Sequence, residues 1–336
     1  MITLKELSKE AGVSISAVSK ALNDSSDISE ETKNRIIALA RERGYSKKKH
    51  PSQISNSGRP MTIAIIYSDI VSNYYTKLLK EYDARISEMG AIMLMASAQF
   101  KTERIIELCG FFQQTGIADG IICISPFNIF GQIPPMDIPM IGISYPSTEY
   151  HAFDHLSVDD SVGIADGIAK LVELGHTKIA YMGEKYTWYR QQDFEAAMKS
   201  HKLKVDPAFD LVSDYRFEKA GFDCAERLLK HGDLPTAIFA AYDDIAAGAA
   251  ETLKNAGYRI PEDISIAGID YTQRNIGNGK VISSVNCHIK DQVNITLNLL
   301  LRKIRKQIPI TTVQNINLRT EFMPTNSIGP VSGSSR

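Results

Sequence analysis

From Thr62 onward, short apolar runs alternate with helical stretches, and this alternation constrains the fold more than any other feature of the sequence. The runs have the length of buried strands, and most of the stretches between them are long enough for helices. Strands that alternate with helices form parallel sheets with helices on both faces. The predicted strands are Ile63–Tyr67, Ala91–Ala96, Gly120–Ile124, Met140–Ile143, Ile179–Met182, Ala237–Ala241 and Ile264–Ile269.

The length of this region is sufficient for two such sheets, with a change-over near Val158–Asp160. A last helix and a strand-like run follow the second sheet, and we expect the chain to return with them to the first lobe. Two α/β lobes joined by several crossings form a cleft, and ligands bind such sheets at the carboxyl ends of their strands. The predicted helices are Tyr74–Met89, Glu103–Gln114, Ser161–Leu174, Tyr189–His201, Lys219–His231, Asp243–Ala256 and Asp291–Arg305, and the last strand is Thr311–Leu318.

The first sixty residues have a different pattern, that of three short helices. Thr3 and Glu6 form a capping box at the start of the first helix. A glycine-containing turn follows, and Ser14 is placed to cap a second helix over Ile15–Leu22. A third helix begins at Ser29 and runs toward Arg43. This helix-turn-helix geometry places a recognition helix in the DNA major groove, so the sequence favours gene regulation.

Charge is distributed unevenly along the chain. Residues 1–60 contain 11 Lys and Arg against 7 Asp and Glu, whereas the remaining residues contain 27 against 32. A basic N-terminal part on a mildly acidic body concentrates any attraction for a polyanion at the N-terminus. The stretch from Ser46 to Pro60 is polar, basic and rich in helix breakers, which is typical of a linker.

Composition and motifs exclude several other classes of protein. No apolar run is long enough to span a membrane, and the charged N-terminal helix is unlike a signal peptide, so we expect a cytoplasmic protein. The four cysteines are scattered without a CxxC pair, which indicates reduced core residues. The chain has no GxGxxG, Walker or GxSxG motif, and its histidines lack metal-ligand spacing. We therefore expect no enzymatic activity, no cofactor and no metal.

Several segments resemble the LacI/GalR family of transcriptional regulators. The N-terminal matches are Thr3–Ser14, Ala17–Asn23 and Ile28–Thr32, and the later ones include Glu173–Ala180, Asp243–Ala249 and Ile260–Asp270. The resemblance covers nearly the whole chain. It implies a small all-α helix-turn-helix domain followed by a bilobed α/β domain of the periplasmic-binding-protein type.

The implied layout has four parts. The helix-turn-helix domain is residues 1–46, the hinge or linker is 47–60, and the bilobed effector-binding and dimerisation domain is 61–330. Within it, the N-lobe is about 61–158 with 290–325, and the C-lobe is about 159–289. Residues 326–336 are expected to be a flexible tail in place of the leucine-rich C-terminal helix of family tetramers, so we expect a dimer.

The resemblance also implies which residues contact DNA. Ile15, Ser16 and Lys20 fall on the positions that enter the major groove, and their spacing places them near one side of a helix. Position 20 has lysine where the family usually has arginine, so we expect Lys20 to discriminate less strongly between bases. The alternative is that Lys20 is a solvated surface charge. Ile54 is the apolar residue placed to wedge into the minor groove. The linker around it is either a hinge helix or a disordered tether, because Pro51 is tolerated only in the first turn of a helix. Phosphate contacts or caps are assigned to Thr3, Ser14, Ser19 and Asn23.

The implied effector cleft combines aromatic faces with hydrogen-bonding groups, as sugar sites do. Arg190 and Asp270 fall on the family's effector-contacting arginine and cleft aspartate; the alternative is that they pair only with each other. An extra arginine and fewer acids than usual favour an anionic ligand, such as a sugar phosphate or sugar acid. Trp188 and Tyr189 are either a stacking face or surface positions. The full predicted effector set is Tyr74, Tyr75, Ser125, Ser144, Arg190, Arg216, Tyr242 and Asp270.

The sequence thus predicts a homodimeric transcriptional repressor that binds a palindromic operator in double-stranded DNA. A small molecule, a sugar or sugar derivative, would bind between the lobes and control operator affinity. The alternative is a stand-alone solute receptor with the same bilobed fold. That alternative does not explain why the chain has a helix-turn-helix segment.

Overall fold

The structure, a computed structural model, describes residues 4–22, 27–43, 59–125, 129–146 and 152–331. The chain separates into two compact units, Met1–Arg59 and Pro60–Arg336. No helix among the described residues combines the length and the apolar character needed to cross a bilayer.

The first unit contains the three predicted helices, α1 (Leu4–Ala11), α2 (Ile15–Leu22) and α3 (Glu30–Glu42). Their bounds confirm the sequence prediction. Ser14 caps α2, because its Oγ accepts a hydrogen bond of 3.1 Å from the backbone N–H of Ala17. The helices enclose a small core formed by Leu7, Ala11, Val18, Ala21, Ile36 and Ala40.

The second unit contains two six-stranded sheets among the described residues, with helices packed on them. The first sheet has the order β11-β5-β4-β3-β1-β2, and all of its strand pairs are parallel. Its elements are β1 (Thr62–Tyr67), α4 (Asn73–Glu88), β2 (Ile92–Ser97), α5 (Thr102–Thr115), β3 (Gly120–Ile124), β4 (Met140–Ser144), β5 (Asp154–Asp159), α10 (Ile289–Ile304) and β11 (Asn315–Arg319).

The second sheet has the order β12-β10-β9-β8-β6-β7, and only β12 runs antiparallel to its neighbour among the pairs described. Its elements are α6 (Asp160–Glu173), β6 (Ile179–Glu184), α7 (Trp188–Ser200), β7 (Asp210–Ser213), α8 (Glu218–His231), β8 (Ala237–Ala240), α9 (Asp243–Asn255), β9 (Ser265–Ile269), β10 (Ser283–Asn286) and β12 (Glu321–Met323).

The chain crosses between the sheets three times within the described residues: from β5 to α6, from β10 to α10, and from β11 to β12. The first crossing confirms the predicted change-over near Asp159. The last helix and strand do return to the first lobe, since α10 packs on α4 and β11 pairs with β5.

Two expected boundaries are wrong. The N-lobe does not extend to residue 325, because β12 pairs with β10 of the second sheet. The flexible tail does not begin at residue 326 either. Ser327 is fully buried, its Oγ donates to the carbonyl of Ile266 at 2.6 Å, and the N–H of Val331 donates to the carbonyl of Leu174. These hydrogen bonds fasten the segment to the second lobe as far as Val331; residues 332–336 lie outside the described residues.

Candidate functional site

The two lobes enclose a cavity whose volume is about 770 Å³, including the part open to solvent. It lies at the carboxyl ends of the parallel strands, because Ser125, Ser144, Glu184 and Asp270 end or directly follow β3, β4, β6 and β9. All eight residues of the predicted effector set line it: Tyr74, Tyr75, Ser125, Ser144, Arg190, Arg216, Tyr242 and Asp270. The structure therefore brings the set together, while its role in ligand binding stays a prediction.

Arg190 is held from three directions in the wall of the cavity. Its Nε donates to Asp160 at 2.8 Å, its Nη1 to the carbonyl of Ala241 at 2.7 Å, and its Nη2 to Asp270 at 3.1 Å. Both carboxylates are buried. The alternative of an exclusive pair between Arg190 and Asp270 is thus replaced by a charged cluster that includes Asp160.

Burial raises the pKa of Asp270 to about 6, although the adjacent Arg190 guanidinium opposes this shift. Near neutral pH the carboxylate is mainly ionised and can accept hydrogen bonds from ligand hydroxyls. Its position follows from an unusual backbone, since Asp270 (φ 97°) and Tyr271 (φ 47°) both have positive φ. Such strain is frequent at ligand sites, where the surrounding structure enforces it.

Arg216 lies at another part of the cavity wall, among aromatic rings. Its guanidinium carbon is 3.8 Å from the ring centre of Phe100, which belongs to the first lobe, and 4.6 Å from that of Phe217. Its Nε is 3.3 Å from Oε1 of the buried Glu184. This contact makes Glu184 a third acidic residue of the cavity, after Asp160 and Asp270. Sequence reasoning missed Glu184 and Asp160, so the described cavity wall has three carboxylates against two arginines, Arg190 and Arg216.

Tyrosine rings form much of the remaining wall. Tyr145 and Tyr189 are stacked, with ring centres 4.0 Å apart and an angle of 15° between the planes. Tyr189 thus faces the cavity, whereas Trp188 is half exposed. Burial raises the pKa of Tyr75 to about 12, so its hydroxyl remains protonated and can donate. Tyr242 is tied into the wall, because its Oη accepts a hydrogen bond of 3.0 Å from the N–H of Phe217.

The two serines of the predicted set are buried at strand ends. The hydroxyl of Ser144 donates to its neighbouring carbonyl, that of Tyr145, at 2.8 Å and is 3.0 Å from Nε2 of His155. Ser144 therefore already has partners within the protein. A ligand would meet its hydroxyl only as an additional acceptor.

Sequence reasoning missed several cavity residues. Asp160 and Glu184 could have been found, since each lies where a predicted strand meets a loop or helix. Phe100, Tyr145 and Tyr186 gave no signal, because they come from irregular loops whose course depends on the tertiary structure. Phe100 reaches the cavity from a segment in which Gln99 (φ 52°) and Phe100 (φ 57°) both have left-handed backbone.

The predicted DNA-reading residues lie on the surface of α2. Ile15, Ser16 and Lys20 are exposed, whereas Val18 is buried in the helical core. The Nζ of Lys20 is 2.8 Å from Oδ2 of Asp27. Ser14 is exposed and caps the helix, and Ser19 is half-buried. Three predicted residues, Thr3, Asn23 and Ile54, lie outside the described residues, as does the segment 44–58 that contains most of the linker.

Comparison with protein families identifies both units. Residues 3–48 match the model of bacterial regulatory proteins of the lacI family, and residues 168–325 match a periplasmic binding protein-like domain. Among curated proteins, the chain is 27% identical to a probable HTH-type transcriptional repressor, ExuR, of Bacillus subtilis over 98% of both chains.

Solved structures resemble the whole chain. A transcriptional regulator CelR–cellobiose complex has a TM-score of 0.66 at 21% identity and covers 97% of this chain and 100% of its own. A lac repressor dimer bound to operator and an anti-inducer has a TM-score of 0.68 at 19% identity, with 97% and 98% covered. At these identities the likeness establishes a common fold, a helix-turn-helix unit followed by a two-lobed α/β domain.

Proposed function

We propose that this chain is an effector-controlled transcriptional repressor of the LacI family, because that family's DNA-binding domain model matches residues 3–48 and a periplasmic binding protein-like model matches residues 168–325. Its curated relatives are DNA-binding regulators and not enzymes, and the full-length relative ExuR is described as a repressor. A stand-alone solute receptor does not explain the DNA-binding domain at residues 3–48. We propose a cytoplasmic location, where the chain has access to DNA.

The observation that carries this proposal is the convergence of eight predicted residues on one cavity in a chain that also has a DNA-binding domain. The cavity combines tyrosine faces with a buried arginine between two carboxylates. Aromatic faces suit the apolar side of a sugar ring, and paired charged groups suit its hydroxyls. The effector is a sugar or sugar derivative, as in the cellobiose complex of the related CelR.

The proposed mechanism couples the cleft to DNA through lobe closure. A ligand that binds the closed cleft better than the open cleft shifts the population toward closure. In a homodimer this shift would change the spacing of the two DNA-binding units. The altered spacing would change the affinity of the dimer for a palindromic operator. The lac repressor dimer on its operator supports this arrangement for a chain of the same fold.

Selection of bound sequences from random duplex DNA by the full chain tests the proposal. The expected result is an enriched palindrome whose enrichment changes with one compound of a sugar panel. The variant Lys20→Ala is expected to weaken or broaden the selected sequence, whereas Lys80→Ala, an exposed residue of the effector domain, serves as the control. The absence of any enriched palindrome under every condition would reject the proposal.

A further inference from the structure

Asp243, the first residue of α9, has a buried carboxylate that does not line the cavity. Its Oδ2 accepts two hydrogen bonds from Thr272, one of 2.6 Å from the backbone N–H and one of 2.7 Å from the hydroxyl. Its Oδ1 accepts a third, of 2.6 Å, from the hydroxyl of Ser284. Hydrogen bonds are strong in a buried environment, so these three fix Thr272 and Ser284 relative to α9.

The partners of Asp243 hold a turn of strained backbone, residues 270–273, which we call the cleft turn. Its first, second and fourth residues have φ values of 97°, 47° and 55°, although none of them is glycine. The backbone N–H of Tyr271 in this turn donates to the hydroxyl oxygen of Ser284 at 2.9 Å. A backbone of this kind persists only where surrounding groups enforce it. Asp243 enforces it through both of its partners.

The cleft turn contacts both the cavity and the opposite lobe. At its start, Asp270 lines the cavity and accepts a hydrogen bond from Arg190. Two positions later, the carbonyl oxygen of Thr272 accepts a hydrogen bond from the side chain of Lys77, which belongs to α4 of the first lobe. Because one residue separates these two groups, a turn held in one conformation fixes both. The cavity carboxylate and an inter-lobe contact therefore depend on the same turn.

The packing around Asp243 leaves its side chain little room to move. A Cβ atom at Gly268, in the adjacent strand β9, would lie only 2.7 Å from Oδ1 of Asp243. The next residue of α9, Asp244, accepts two hydrogen bonds from Asn73 of the first lobe. Consecutive carboxylates at the start of α9 thus have separate roles. Asp244 binds the other lobe directly, whereas Asp243 holds the turn that binds it.

We propose that Asp243 is a positioning residue of the effector site, which acts through the cleft turn on Asp270 and on the inter-lobe contact of Lys77. This proposal rests on the proposed function and deepens it, because it names a residue outside the cavity that links effector binding to lobe closure. A carboxylate that only stabilised the fold of the second lobe would affect closure no more than any other buried residue of α9.

The single tryptophan of the chain, Trp188, reports lobe closure without any ligand. Its ring centre is 6.1 Å from that of Tyr145, which follows β4 of the first lobe, and the two rings meet edge to face. Opening of the cleft separates the rings, so acrylamide should quench the fluorescence of Trp188 more strongly in an open chain. Quenching of the ligand-free full chain under native conditions therefore measures how a variant affects closure.

Four variants separate positioning from stability. Asp243→Ala should increase quenching, because the cleft turn loses its hold and no longer presents its carbonyl to Lys77. Asp243→Asn should keep the parent value, since an amide oxygen still accepts from the N–H of Thr272. Thr272→Val removes only the hydroxyl donor, and this milder variant should also increase quenching. Leu253→Ala, a core truncation in the same helix, lowers stability and should leave quenching unchanged.

Lys77→Met tests whether both residues act through one contact, because it keeps the apolar stem and removes the ammonium donor. The double variant Asp243→Ala/Lys77→Met should show no more quenching than the larger of the two single effects, since both changes remove the same contact. Additive effects would overturn the proposal. So would unchanged quenching in both Asp243→Ala and Thr272→Val, or an equal increase in Leu253→Ala.

Calorimetry with D-ribose, D-glucose, D-galactose and cellobiose tests the effect through Asp270. For any of these sugars that the parent chain binds, Asp243→Ala should weaken binding about tenfold, whereas Asp243→Asn should weaken it by less than about threefold. Unchanged affinity in Asp243→Ala would overturn the proposal. If none of the four sugars binds and no operator is selected, the proposed function fails, and the quenching measurements still decide whether Asp243 positions the cleft turn.

Discussion

Asn73 at the start of α4 and Asp244 in the first turn of α9 join the two lobes across the cleft. The side-chain Nδ2 of Asn73 donates to Oδ1 of Asp244 at 2.5 Å, and its backbone N–H donates to Oδ2 at 3.2 Å. Nearby, Lys77 donates to the carbonyl of Thr272 in the other lobe. Because Asn73 and Asp244 are absent from the cavity wall, these contacts stabilise closure without contacting the ligand.

We predict that Asp244→Ala weakens effector binding about tenfold, because a hydrogen-bonded charged group is lost from the closed form alone. Calorimetry measures the affinity, and small-angle scattering should report a more open unliganded domain. Glu173→Ala removes an exposed partner of Lys170 within one lobe and serves as the control. Unchanged effector affinity in Asp244→Ala would contradict the role of this contact in closure.

The Lys20–Asp27 pair predicts two opposite effects on operator binding. Lys20→Ala should cost about 1–3 kcal/mol of discrimination at one base pair, because the contact with a base edge that we propose for Lys20 would be lost. Asp27→Asn should instead strengthen operator binding, since Asp27 holds Lys20 in the free protein; the hydrogen bond from Lys20 also lowers the pKa of Asp27. Fluorescence anisotropy on the selected operator and on single-base variants measures both. Equal losses on all sequences for Lys20→Ala would assign this lysine to phosphate contact.

The pH dependence of stability should include a contribution from Asp243. This residue accepts hydrogen bonds from Ser284 and from the backbone and hydroxyl of Thr272, yet burial raises its pKa to about 7 from the ordinary 3.8. Because the folded state keeps the proton to a higher pH than the unfolded state, the free energy of unfolding falls as the pH rises through about 7. From pH 6 to pH 8 this group alone should account for a loss of roughly 1 kcal/mol in the free energy of unfolding.

Chemical denaturation at pH 6 and pH 8 measures this contribution. Asp243→Asn should lack it, so the difference between the two pH values should be smaller in the variant than in the parent chain. Asp263→Asn is a suitable control, because its contact with Arg259 lowers the pKa of Asp263 to about 2, far below the range tested. An identical pH dependence in Asp243→Asn would contradict the raised pKa.

Helices α8 and α9 approach each other through two glycines, Gly221 and Gly248. A methyl group on Gly248 would overlap the carbonyl oxygen of Glu218, so the helices would have to separate. We predict that Gly248→Ala lowers the free energy of unfolding by about 1–3 kcal/mol or more. Gly110→Ala, in α5, meets no atom within 4 Å and should instead be stabilising by about 0.5–1 kcal/mol. A neutral result for Gly248→Ala would contradict the tight packing.

Strands whose apolar residues are continuous were predictable from the sequence. β1, β3 and β9 were predicted within one residue, because a run such as Ile-Ala-Ile-Ile is buried on both faces. The missed strands are polar or short: β5 (Asp154–Asp159), β7 (Asp210–Ser213), β10 (Ser283–Asn286) and β12 (Glu321–Met323).

Tertiary partners explain how a polar strand such as β5 can lie inside the sheet, between β4 and β11. Asp154 is buried in an ion pair with Lys303, with 2.7 Å between Oδ2 and Nζ, and His155 is buried beside Ser144. Lys303 lies 149 positions further along the chain, so no local pattern reveals the pair. A buried charge is tolerated only where such a partner is present.

The cavity was predictable to a similar extent. The eight predicted residues meet in it because the family resemblance places them at strand ends or helix starts, positions that the fold itself brings together. What could not be predicted is which groups neutralise one another. Arg216 forms an ion pair with Glu184 and contacts Phe100 from the other lobe. These contacts depend on loop conformations with positive φ, which the residue types do not indicate.

Reciprocal coupling between the cleft and the operator is the most direct test of effector control. The operator affinity of the full chain should be measured by anisotropy without effector and at saturation, and the effector affinity with and without operator. We predict that both ratios are equal and lie between about 5 and 150, in whichever direction the effector acts. Equal operator affinities for the free and the fully liganded chain would show that the cleft does not control DNA binding.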